Sequence, residues 1–73
     1  MKAYGDNIVI KITREQEDYI TGEVTSVSEC GSDLIKIGDV VSVKSRSGTF
    51  IPSELCNYYV TDESFILVVH EKN

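Results

Sequence analysis

Apolar residues in this chain recur at every second position, in runs too short to wrap a helix. From Asn7 to Thr13, Ile8, Ile10 and Ile12 fall on one side of an extended backbone and Asn7, Val9, Lys11 and Thr13 on the other. Turn-forming residues punctuate the rest of the chain. Arg14–Asp18 is charged and reads as an exposed loop. Thr21–Ser28 is rich in β-branched residues, and Val24 and Val27 have opposite parity, which predicts a bulge or twist. Glu29–Asp33 is a turn, and Leu34–Ile37 leads into a tight turn at Gly38-Asp39 before the run Val40–Lys44. Ser45–Gly48 reads as a hairpin connection, and Thr49–Ile51 as a short strand stopped by Pro52, which cannot donate to a ladder. Asn57–Thr61 is another strand, and Asp62–Ser64 turns the chain into Phe65–Val69, the most apolar run of all. No segment carries a sustained helical period with caps. Thr13–Tyr19 comes nearest and lacks an apolar stripe.

Short strands at close spacing predict an all-β domain, a small barrel of antiparallel strands in which closure removes exposed edges. With 73 residues the whole chain, 1–73, makes one domain. The last strand sets the main problem. Phe65, Ile66, Leu67, Val68 and Val69 are apolar on both faces, and one face lines the core. The other needs cover, and a neighbouring copy is the economical source, so a homo-oligomer is expected.

Twelve acidic residues against seven basic ones give a formal charge of −5. Affinity for nucleic acid comes from Lys and Arg neutralising phosphates, and here Lys36, Lys44 and Arg46 are scattered among acids, so neither nucleic acid nor an anionic membrane is an expected partner. No apolar run approaches the ~20 residues of a membrane-spanning helix, and Met1–Asp6 lacks the apolar stretch of a signal peptide. A cytoplasmic setting is expected, with Cys30 and Cys56 as free thiols. Two cysteines and one histidine, His70, do not complete a zinc site, and neither metal nor cofactor is expected. Nothing basic adjoins Cys30 to activate it, and Cys56, after Leu55, reads as packing. With no base placed beside a nucleophile, the chain is not expected to be an enzyme.

Three stretches in series carry a resemblance. They are Asp6-Asn7-Ile8-Val9-Ile10-Lys11, then Gly22-Glu23-Val24-Thr25-Ser26-Val27 with Ile35-Lys36-Ile37-Gly38-Asp39-Val40-Val41, and last Glu63–Glu71. In this order they resemble the chaperonin-10 (GroES-like) family of co-chaperonins. The resemblance implies a GroES-like β-barrel whose N-terminal strand pairs with the C-terminal strand of the next subunit. Met1, Ala3, Tyr4, Val68, Val69 and His70 would form that contact. It implies a ring that caps a chaperonin and leaves ATP hydrolysis to it. The family also carries a long mobile docking loop between its first two strands. Here that connection is only Arg14–Ile20, without glycine, so the chain resembles a shortened member. Glu15, Glu17, Asp18, Tyr19 and Ile20 are the candidate partner-binding residues. The acids would complement a basic partner, and Tyr19-Ile20 would be a reduced docking tip. The plainer reading makes the acids a solvated loop and has Tyr19-Ile20 start the second strand. The alternative function is a non-enzymatic adaptor or inhibitor built on the same reduced barrel.

Overall fold

The computed structural model describes residues 1–71. Six strands, β1 (Asn7–Glu15), β2 (Tyr19–Val27), β3 (Val40–Lys44), β4 (Gly48–Pro52), β5 (Asn57–Asp62) and β6 (Ile66–His70), form one antiparallel sheet in the order β4-β5-β1-β2-β3-β6. The fold is all-β. The sole helical element among the described residues is a 3₁₀ turn at Glu63–Phe65, capped by the Asp62 carboxylate, which accepts the Ser64 N–H at 2.8 Å.

Ile8 and Ile10 point into the core as the alternation requires, and Ile12 packs beside them. Val9, on the opposite face, is buried as well. Its ladder partner Ser26 accepts the Ala3 N–H through Oγ at 2.9 Å, which holds the N-terminal segment over this part of the outer face. The parity conflict between Val24 and Val27 resolves as a bulge: Ile10 pairs with Val24 and Val9 with Ser26, leaving Thr25 as the extra residue. Both valines then face the core. A second irregularity sits at Thr13, between the Ile12–Gly22 and Arg14–Thr21 pairs.

Arg14 and Glu15, expected in a loop, extend β1, because Arg14 pairs with Thr21 and Glu15 with Ile20. Charge alone does not end the strand, since these side chains project from an exposed stretch of ladder. The Ser45–Gly48 connection also differs from expectation. β3 and β4 do not pair. β3 lies between β2 and β6, and β4 pairs with β5 alone. The tripeptide Ser45–Ser47 therefore carries the chain across four strand spacings, about 19 Å in a flat sheet. Four Cα steps reach at most about 14 Å. Glu63–Phe65 joins β5 to β6 across the same number of spacings. Both links are possible only because the sheet is strongly curled. The β3–β4 corner is held by the Tyr59 hydroxyl, which accepts the N–H groups of Ser47 (2.8 Å) and Gly48 (2.7 Å). Arg46 at its apex adopts the left-handed conformation (φ 61°).

Inside the curl lie Ile8, Ile10, Ile20, Val24, Val41, Val43 and Tyr59. Among the described residues no ladder joins β4 to β6, so the sheet is curled but not closed by hydrogen bonds, and two strand edges stay free. No helix of the described residues is long and apolar enough to cross a membrane.

Candidate interaction surface

The two free edges differ in chemistry. β4 ends in Pro52, begins at Gly48, and leans its Phe50 ring edge-on against Tyr59 at 4.9 Å. A Cβ at Gly48 would collide with the Val60 carbonyl, so this end admits only glycine. β6 lacks the charged or proline residues that guard many edges, and its one irregularity is a bulge. Ile66–Val69 holds no charge and no proline. Ser42 pairs with Val68 and Val43 with Ile66, which leaves Leu67 as a bulged residue pointing outward, 59% exposed. Val68 is 50% exposed, and Val69 and His70 are exposed as well.

Beside this edge three hydrogen-bonding side chains line up across neighbouring strands. Thr21 Oγ1 lies 2.7 Å from Ser42 Oγ, which lies 2.8 Å from His70 Nε2. The Ser42–His70 distance is that of a nucleophile and its base. The serine, however, is only 5% exposed and its hydroxyl is engaged from both sides, so the row ties β2, β3 and β6 together. Tyr19, Ser42, Leu67, Val68 and His70 enclose a shallow hollow on the outer face. No local motif in the sequence marks this row. Ser42 and His70 are far apart along the chain, and only the Val40–His70 register brings them together.

The predicted partner-binding residues are divided by the fold. Glu15, Glu17 and Asp18 are exposed on the β1–β2 hairpin, whose turn is closed by the Gln16 N–H to the Tyr19 carbonyl at 2.9 Å. The backbone of that turn is tied to the β3–β4 corner: Ser45 gives its N–H to the Asp18 carbonyl (3.1 Å) and its hydroxyl to the Glu17 carbonyl (2.9 Å). Ile20 is 2% exposed, deep in the core, and is no part of a tip. Tyr19 turns to the outer face and joins the hollow beside β6. Of the predicted subunit contacts, Met1 and Tyr4 are exposed and Ala3 is buried against its own sheet.

The longest connection, Ser28–Asp39, is held by hydrogen bonds of its own and by Glu63 from the turn before β6. The Glu63 carboxylate accepts the Ser32 N–H at 3.0 Å, Asp39 Oδ2 accepts the Lys36 N–H at 3.0 Å, and Gly38 turns at φ 97°. The Gly38-Asp39 turn thus has the form its residues predict. Cys30 is exposed and Cys56 half-buried, both as free thiols. The neighbouring Cys56 side chain pushes the Tyr58 phenol above its ordinary pKa. Among the described residues no three His, Cys, Asp or Glu side chains gather to hold a metal ion. No family model matches the chain, and no curated protein matches it.

Proposed function

We propose that the chain is a non-enzymatic subunit of a co-chaperonin-like ring that assists chaperonin-mediated protein folding in the cytoplasm. One observation carries the reading: β6 is apolar on both faces, half-exposed and free along one edge, with no charge or proline along Ile66–Val69. A strand like this is stable in water when another chain covers it. The serial resemblance to the chaperonin-10 family supplies the form of that cover, a head-to-tail contact in which Met1 and Tyr4 of one subunit meet Val68, Val69 and His70 of the next. Repeated around an axis, such a heterologous contact closes a ring. The curled sheet would then serve as a GroES-like barrel, with the free edge of β6 sealed by the neighbour.

A second reading, an adaptor or inhibitor that binds another protein, is favoured by the β1–β2 hairpin. Its turn is short and tied to the Ser45 corner, where the family has a long docking loop. Its acids Glu15, Glu17 and Asp18 suit a basic partner. Light scattering across concentration, followed by co-sedimentation with a chaperonin and ATP, separates the two. The ring reading expects a discrete oligomer that sediments with the chaperonin. A discrete oligomer that ignores the chaperonin favours the adaptor, and a monomer at every concentration removes the ring.

A further inference from the structure

We propose that the free edge and inner face of β4 take an extended basic segment of a partner protein, added to the sheet as a further antiparallel strand. The inference rests on the second reading, the adaptor, and names the seat and the chemistry of its partner. β4 pairs with β5 along one edge, and all of its residues are exposed. Among the described residues no strand pairs with its other edge, which leaves backbone N–H and C=O groups open. Phe50 stands opposite Tyr59, and residues opposite each other share a face, so both rings point into the curl. Tyr59 is wholly buried there, yet Phe50 remains 50% exposed. The cover is missing on the inner face, where a hollow of about 290 Å³ separates β4 from the β1–β2 hairpin.

The same pairing rule sets the charge of that hollow. Glu15 stands opposite Ile20, a core residue, and so faces inward, and Glu17 joins it from the turn. Arg14 stands opposite Thr21, and Lys44 opposite Tyr19, so these two bases go to the outer surface. Arg46 is the base that remains, against Glu15 and Glu17 with Asp18 next to them in the turn. A second copy of this chain suits the seat badly, because it brings the same acids and a formal charge of −5 to the same place. A strand bearing Lys or Arg brings what the seat lacks. Its main chain pairs with β4. Its inward side chains lay their apolar stems on Phe50 and their cations beside Glu15 and Glu17, and its outward side chains flank Ile51. Pro52 has no N–H to give, so the donors for the added strand end at Ile51.

The test titrates the isotope-labelled chain with a capped Lys-Val-Lys-Val-Lys-Val peptide and follows its amide signals by heteronuclear NMR. A Glu-Val peptide of the same length and the Lys-Val peptide methylated at every amide nitrogen serve beside it. The Lys-Val peptide is expected to shift the Gly48–Ile51 amides. Its affinity is expected to fall about tenfold or more in Phe50→Ser and in Glu15→Gln/Glu17→Gln, and to weaken at about 0.3 M salt. All three side chains are exposed, and unchanged signals elsewhere in the spectrum check that the variants keep the fold. The Glu-Val and methylated peptides are expected not to bind. No shift along β4, equal binding of the methylated peptide, or binding that withstands the loss of both carboxylates overturns the seat. The adaptor reading falls separately, when the chain sediments with a chaperonin and ATP.

Discussion

Tyr59 does more than fill the core. Its hydroxyl holds two backbone amides of the β3–β4 corner, so the ring inside the curl and the link across it are joined in one side chain. Replacing Tyr59 with Phe keeps the packing and strands both N–H groups. We expect a loss of about 1–3 kcal/mol in urea unfolding, from unmet donors rather than a cavity. Gly22 makes a separate demand: a Cβ there would lie 2.5 Å from the Lys11 carbonyl oxygen of the neighbouring strand. Gly22→Ala is expected to cost more than the few tenths of a kcal/mol typical of exposed positions, with β1 and β2 forced apart at this point. Asp62 carries a pH dependence. The Ser64 N–H holds its carboxyl below the ordinary value of 3.8, so the folded state favours the ionised form. Its contribution is complete above that value and disappears as the pH falls through the lower folded-state value. Asp62→Asn keeps an acceptor for Ser64 and should flatten the acid limb of a stability-against-pH curve at this site.

At the scale of the strand, β1 is the most legible element, because Ile8, Ile10 and Ile12 announce their face by alternation. Even the Thr25 bulge is foreshadowed by the misplaced parity of Val24 and Val27. Partnership is not legible. Ser45-Arg46-Ser47-Gly48 is good turn chemistry for a hairpin and for a corner alike, and only the register with distant strands decides between them. The same blindness hides the Thr21–Ser42–His70 row, whose members gain meaning from lying on adjacent strands. Ile20 shows the converse. Its neighbours in sequence make it look like part of a docking tip, and the core claims it because Val43 stands opposite. For β6 the apolar run is plain, and its exposure comes from its place at the end of the strand order. A lysine at Val68 tests what that exposure is for. Val68→Lys should leave the unfolding free energy of a single copy within about 0.5 kcal/mol, since the site is half-exposed, while abolishing self-association seen by light scattering.

At the scale of the whole molecule, the strand order interleaves the two halves of the chain. β1 takes its second partner from β5, and β3 takes its second partner from β6. The order of synthesis therefore works against early structure. When a ribosome has released everything through Lys44, β1 still lacks β5, β3 lacks β6, and the core lacks Tyr59. Folding waits for β5 and β6 to emerge, and a nascent chain arrested after Asp62 should remain open to protease where one that includes β6 resists it. Until its second half is present, a chain with this topology has strands whose partners have yet to be made.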